Sequence, residues 1–386
     1  MKMKRLKRIC FLLIALLLMV VLVASCAPAK QTAGDKKESI KIGAILPLSG
    51  WGADYGDEAQ KGINLAVAEF NNAGGINGKE VVVLFEDSAA DAKQAVSGAK
   101  KLIEIDKVRA IVGVMFSHEA LAIAPMTEQN KVPLICGMAN HPDIALSGEY
   151  NFVINESSPG MVIKLVDFLY EKRGMKKLGV LAFDTDYGHS VAKTMDGRLK
   201  EIGGELVITE LYPPGTSDFK SLLLKVKSAE PDVLMLVGSP PDTIQIIRQM
   251  SELGLKIPVA GSDMIREKAI LDAVGKLMDG VLYYNRGPET AEGKEAAAQF
   301  LANYSSAYGE EPRTVTPFLA YEGAKLALTA IAEGGETGPE MQQWLASIKN
   351  FIGANGEITM DENGAARRPI VIQEVRDGKF DVRVEK

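Results

Sequence analysis

The chain is poor in histidine and cysteine, two residues from which many catalytic and metal sites are built. Histidine occurs three times in 386 residues, as His118, His141 and His189. None stands at metal-ligand spacing from a cysteine or a second histidine. His118-Glu119 invites comparison with the zinc motif H-E-x-x-H, but Ala122 occupies the second ligand position and excludes it. The three histidines read as solvated or loop-capping side chains. Cysteine is as scarce: Cys10, Cys26 and Cys136. Cys10 falls in an export signal described below, and Cys26 follows that signal as the expected lipidation site. Cys136 is therefore alone, no intrachain disulfide is available, and stability must come from packed cores. It ends the apolar run Val132-Pro133-Leu134-Ile135, where a buried small hydrophobe is the expected reading.

Catalytic motifs are missing as well. No G-x-S-x-G elbow occurs, which counts against an α/β-hydrolase. No Walker A sequence and no G-x-G-x-x-G follows a strand pattern. Gly50, Gly52 and Gly56 come after the first strand at the wrong spacing for a dinucleotide loop. They make a wide turn or let a ligand approach the backbone. No enzyme activity, cofactor or metal is expected. An excess of positive charge is absent too: the formal charge of −6 becomes −11 without the five basic residues of the leader. That balance disfavours nucleic acid as a partner.

What is present begins with the leader. Lys2, Lys4, Arg5, Lys7 and Arg8 precede an uncharged apolar run from Phe11 to Ala24, and Val23-Ala24-Ser25-Cys26 follows. A basic stub, a short apolar core and small residues before a cleavage point read as a secretory signal. The run falls short of the ~20 residues a spanning helix needs. A cysteine directly after small residues resembles the bacterial lipobox, in which the thiol is acylated. The expectation is a signal peptide over 1–25, lipidation at Cys26 and a flexible tether over 26–38. About 350 residues remain, enough for two domains.

Short apolar runs alternate with helical patterns. Strands are expected over 40–46, 81–86, 110–113, 132–136, 178–182, 206–211, 233–237 and 259–261, and helices over 55–71, 89–105, 118–129, 187–201, 218–228 and 242–253. Repeated units of this length mean parallel sheets covered on both faces. The alternation pauses around 150–160 and then resumes, which fits two α/β lobes in series. Strands near 356–360, 368–375 and 380–384, joined by the turns Glu362-Asn363-Gly364 and Asp377-Gly378-Lys379, read as an antiparallel appendix.

Several stretches then stand out together. They are Ile42-Gly43-Ala44-Ile45-Leu46-Pro47-Leu48-Ser49-Gly50, Tyr55-Gly56, and Asn71-Asn72-Ala73-Gly74-Gly75-Ile76-Asn77-Gly78. Further on come Asp91-Ala92-Lys93-Gln94-Ala95, Ile111-Val112-Gly113 with Ser117, Asp186-Tyr187-Gly188, Asp218-Phe219 and Glu230-Pro231-Asp232-Val233. This ordered series, over residues 39–386, resembles the leucine/isoleucine/valine-binding protein family. Its members are type I periplasmic solute-binding proteins of branched-chain amino acid-type ABC transporters. The resemblance implies an α/β fold of two Rossmann-like lobes with parallel sheets, joined by three hinge crossovers near 155–159, 284–287 and 353–356. Lobe 1 would then comprise 39–156 plus 286–353, and lobe 2 157–285 plus 354–386. Ligands of open parallel sheets sit outside the strand carboxyl ends, and hinge closure buries them.

By the same resemblance, Ser117 and the loop holding Met138, Ala139 and Asn140 would bind the carboxylate of an amino acid. A helix N-terminus is a ready anion site, although Ser117 also fits a plain helix cap. Tyr187 would stand beside the ammonium or pack as a core aromatic. Asp263 would balance the ammonium charge or cap the helix at Ile265. Tyr55 and Trp51 follow strand one at the expected cleft. The series also departs from the family: Ser239 stands where amino-acid binders often carry tyrosine, and Met138 replaces a smaller residue. Phe116 and Ala90 fill positions where some members have a disulfide, and Trp51 is an added aromatic. These departures leave open an aromatic or dicarboxylic acid or a short amide as solute. The implied function is an extracytoplasmic lipoprotein of the cell envelope, expected to be monomeric, that hands a small molecule to ABC permease subunits. A ligand-sensing ectodomain is the alternative. No membrane-length apolar run follows the leader, which favours transport.

Overall fold

The computed structural model describes residues 39–155, 158–286 and 291–384. The expected leader, the tether and Cys26 lie outside the described residues.

β1 (Ile40–Leu46) is buried except at Lys41, as an apolar strand covered on both faces must be. It sits inside a five-stranded parallel sheet of order β2-β1-β3-β4-β5, with β2 (Val81–Asp87), β3 (Ile111–Val112), β4 (Leu134–Cys136) and β5 (Asn151–Val153). Between these strands run α1 (Ala53–Asn72), α2 (Ala92–Lys100), α3 (Ser117–Asn130) and α4 (Pro142–Leu146). Side chains alternate across the sheet. Ile42, Ala44 and Leu46 pack with Ile63 and Ala66 of α1. Ile45, Ile111 and Leu134 pack with Ile123 and Ala124 of α3 on the opposite face. Cys136 lies in that second core, where burial pushes its thiol up.

The second lobe repeats the plan. It contains α5 (Ser158–Asp167), β6 (Lys177–Phe183), α6 (Asp186–Ile202), β7 (Glu205–Tyr212), α7 (Lys220–Ala229), β8 (Val233–Val237), α8 (Pro240–Glu252), β9 (Val259–Gly261), α9 (Lys268–Val274) and β10 (Leu282–Arg286). Its sheet runs β7-β6-β8-β9-β10 in parallel. The chain then returns to the first lobe. α10 (Ala291–Tyr308), α11 (Thr316–Thr329) and α12 (Gly338–Ala346) place Phe300, Tyr304, Leu319 and Leu345 in the core beside α1. A Cβ on Gly62 of α1 would collide with the Pro317 carbonyl, so glycine there sets how closely α1 and α11 approach.

The carboxyl end divides between the lobes, which corrects one boundary. The third crossover was expected at 353–356, but Gly353 and Gly356 pair across a tight hairpin joining β11 (Phe351–Gly353) to β12 (Gly356–Met360). With β13 (Ala366–Arg367) these strands form a three-stranded antiparallel sheet. Ala354, Ile358, Met360 and Ala366 are buried in the first lobe's core. A glycine-bounded turn reads the same in a linker and in a hairpin, and only burial of the flanking residues separates the two. The chain joins the second sheet at β14 (Ile370–Arg376), which runs antiparallel to β10 and is followed by β15 (Lys379–Arg383).

Arg368 sits at this crossover, buried. Its Nε donates to the Ile154 carbonyl at 2.8 Å and its Nη1 to the Asn355 carbonyl at 3.0 Å. Its Nη2 donates to Glu322 of α11 at 2.6 Å. Glu322 also accepts from the Asn355 amide at 2.6 Å. One buried ion pair thus fastens the chain ahead of two crossovers to a helix of the first lobe.

Candidate ligand cleft

Both sheets reverse strand order at their first strand: β1 lies between β2 and β3, and β6 between β7 and β8. The loops leaving such strands diverge to opposite sides of the sheet and open a crevice at the carboxyl ends. A cavity of about 110 Å³ occupies this place. From the first lobe it is lined by Trp51 and Tyr55 after β1, Met115–His118 after β3, Met138, Ala139 and Asn140 after β4, and Asn155 after β5. The second lobe contributes Phe183 at the end of β6, Thr185 and Tyr187 after it, Ser239 after β8, and Met264 and Glu267 after β9. Val315, Thr316 and Leu319 close it from the start of α11.

Tyr55-Gly56 and Tyr187-Gly188 stand at corresponding turns, each opening the helix after a lobe's first strand. A Cβ on Gly56 would strike the Pro47 carbonyl, and one on Gly188 the Phe183 carbonyl. The glycines let each helix start against its strand end, and the tyrosines are thereby held at the cleft. Tyr55 carries a buried hydroxyl with no hydrogen-bond partner among the described residues. Burial, and then the charges of Glu267 and Asp242, push that hydroxyl well above its usual range. Tyr187 sets its hydroxyl 3.0 Å from that of Tyr284.

The N-terminus of α3 faces the cavity without a serine cap. Phe116 is the cap residue, and its amide donates to the Glu119 carboxylate at 3.1 Å. Burial raises the pKa of Glu119, against the opposing hydrogen bond from the Phe116 amide. Ser117 is therefore the first helical residue rather than a cap. It is buried, and no hydrogen bond of its hydroxyl is found among the described residues. The Trp51, Phe116 and His118 rings form a ladder beside it, with centroids 4.5 Å and 5.8 Å apart. His118 Nε2 lies 3.1 Å from the Ala90 carbonyl, which requires the proton on Nε2 and ties the helix to the loop before α2. Met138, Ala139 and Asn140 are all buried. Ser239 caps α8: its hydroxyl accepts from the Asp242 amide at 3.4 Å while its own amide donates to the Asp242 carboxylate at 3.0 Å.

Eight of the nine expected site residues, Trp51, Tyr55, Ser117, Met138, Ala139, Asn140, Tyr187 and Ser239, line this one cavity. The ninth, Asp263, begins the 3-10 turn Asp263–Arg266, and its side chain lies outside the described residues. The expectation that Asp263 caps this turn gives way to Ser262, whose hydroxyl accepts from the Met264 amide at 3.3 Å. Glu267, only 7% exposed, is the carboxylate in the described wall. Sequence reading missed it because Arg266-Glu267-Lys268 looks like a solvated helix start. Asn155 and Thr316 carried no pattern that marked them either.

Residues 39–379 match the family model of periplasmic binding proteins. The chain is 31% identical over 326 residues to Leu/Ile/Val-binding protein homolog 7 of Brucella suis, covering 80% of this chain and 79% of that one. It superposes with a TM-score of 0.80 and 28% identity on the branched-chain amino acid transporter substrate-binding protein LivJ from Streptococcus pneumoniae in complex with isoleucine, over 90% of this chain and 99% of that one. A solute-binding protein of an ABC transporter from Rhodopseudomonas palustris, in complex with 3,4-dihydroxybenzoic acid, superposes with a TM-score of 0.78 and 26% identity over 89% and 96%. Two lobes whose switch-point loops meet at one cleft, a family match over nearly the whole described chain, and relatives that are binding proteins lead to one assignment: this chain belongs to the Leu/Ile/Val-binding family of type I periplasmic binding proteins, the solute receptors of branched-chain amino acid-type ABC transporters.

Proposed function

We propose that this receptor binds an α-amino acid as its zwitterion and delivers it to ABC permease subunits. One observation carries the reading: a buried carboxylate, Glu267, comes to the cavity from one lobe, and the N-terminus of α3 with Ser117 comes from the other. No lysine or arginine stands among the described lining residues. A helix N-terminus favours a carboxylate, and a buried carboxylate favours an ammonium. A benzoate-like anion would satisfy the first and be repelled by the second. At about 10–15 Å³ per water-sized site, the cavity of about 110 Å³ admits roughly seven to eleven non-hydrogen atoms, the size of a branched-chain or similar amino acid. Asn140 and the backbone of 137–140 would share the carboxylate, and Tyr55 and Tyr187 would border the ammonium.

Calorimetric titration with a panel of amino acids tests this. A ligand held at about 100 times its Kd adds about 2.7 kcal/mol of stability, so a thermal-shift screen finds it first. Ser117→Ala is expected to weaken that ligand by about 1–3 kcal/mol, because a hydroxyl donor is lost while backbone N–H groups remain. A panel in which no α-amino acid stabilises the protein, or an affinity untouched in Ser117→Ala, contradicts the proposal.

Lipidation at Cys26 outside the cytoplasmic membrane is part of the same reading, supported by Val23-Ala24-Ser25 before it and the basic, apolar leader. Cys26→Ser should move the protein from the membrane to the soluble envelope fraction and end incorporation of labelled fatty acid. Labelling that persists in the variant contradicts the anchor.

A further inference from the structure

Asn155 is a polar side chain that the fold leaves half satisfied. It follows β5, at the point where the chain leaves the first sheet, and it lines the cavity. The residue is 3% exposed. Its Nδ2 reaches the Met138 carbonyl at 3.5 Å, the long limit of a hydrogen bond. Its Oδ1 is buried with no partner among the described residues. An acceptor left unpaired in a buried site is costly, and buried polar groups in native proteins are nearly always paired. The neighbouring carbonyl of Ile154 is already held by Arg368, so the backbone carrying Asn155 is fixed from behind.

We propose that Asn155 is a specificity-determining residue whose Oδ1 accepts a hydrogen bond from the solute's side chain, so that the preferred amino acid carries an N–H or O–H donor there. This rests on the amino-acid reading given above. The ammonium has a charged acceptor in Glu267, and hydrogen bonds to an ionised acceptor are the stronger ones. The neutral carboxamide oxygen is then left for the solute's other polar group. A pocket built to hydrogen-bond a donor discriminates strongly against an isostere lacking it, whereas a purely apolar pocket barely separates the two. The Trp51 and Phe116 rings supply the apolar wall, and Asn155 supplies the polar mark within it.

Kd values for two near-isosteric pairs test the proposal in wild type and in Asn155→Leu: threonine with valine, and glutamine with methionine. Wild type should favour the donor-bearing member of at least one pair by about ten-fold or more. Asn155→Leu should reduce that ratio about ten-fold or more. Asn155→Ala removes the same acceptor without adding bulk and decides the matter if the leucine variant does not fold, as judged by its thermal melt. Wild type that binds the apolar member of every pair at least as tightly overturns the proposal. So does a ratio unchanged by either substitution. In both cases amino-acid binding itself is seen, and the reading under it stands. If no amino acid binds, that reading falls and the role of Asn155 falls with it.

Discussion

Arg368→Met is expected to lower the unfolding free energy by about 3–5 kcal/mol, the usual cost of stranding one member of a buried ion pair. Glu322 is fully buried, and among the described residues it would retain only the amide of Asn355 as a hydrogen-bond donor. The guanidinium also binds the carbonyls of Ile154 and Asn355, so the loss includes acceptors ahead of two crossovers. Adding Glu322→Gln removes the stranded charge and keeps an acceptor for that amide. The double variant should therefore recover about half of the loss or more, since replacing a whole buried pair is often close to neutral. Chemical denaturation of the three proteins reads this directly. A single variant within about 1 kcal/mol of wild type, or a double variant no better than the single, contradicts the account of the pair.

Glu267→Gln is expected to weaken the amino-acid ligand by about 3–5 kcal/mol, or roughly a hundred-fold to several thousand-fold at 1.4 kcal/mol per decade. The effect should exceed that of Ser117→Ala because the proposed anion site would consist mostly of backbone N–H groups that a substitution leaves in place. The proposed ammonium, by contrast, would face a single carboxylate in the described wall of the cavity. Folding should be preserved, since glutamine has the shape of glutamate. A carboxylic acid without an amine should respond in the opposite sense: removing the negative charge would leave its binding unchanged or improve it.

The strands were the most legible part of the chain. The expected spans 40–46, 233–237 and 259–261 coincide with β1, β8 and β9, because each is a short apolar run buried on both faces. Where backbone conformation intervenes, the pattern overshoots. The run at 110–113 shortens to Ile111–Val112, since Gly113 turns the chain with φ +82°. The helix expected from 89 begins at Ala92, where the Asp91 carboxylate accepts from the amides of Lys93 and Gln94. α11 escaped assignment because its sequence TPFLAYEGAKLALT is buried on nearly every side, and a helix without a polar face shows no 3.6-residue stripe.

The site divides along the same line. Trp51, Tyr55, Ser117, Tyr187 and Ser239 lie in or just beyond the loops that leave the strands, and the family resemblance, not the strand pattern, marked them as site residues. Glu267 and Arg368 sit among charged neighbours and look solvated in sequence. Arg368 is buried only because folding brings it to the Ile154 carbonyl, 214 residues earlier. Contacts at that range leave no local signature. The third crossover was misplaced for the same reason: whether Gly353–Gly356 is a linker or a hairpin depends on where Ile358 and Met360 are buried.

The most direct test of a zwitterion site is to titrate the purified receptor with the best amino acid from the panel and with the same carbon skeleton lacking its amine. The account predicts that wild type binds the amino acid at least about a hundred-fold more tightly than its deaminated counterpart, and that Glu267→Gln removes most of that difference. Equal or tighter binding of the deaminated acid by wild type would contradict it.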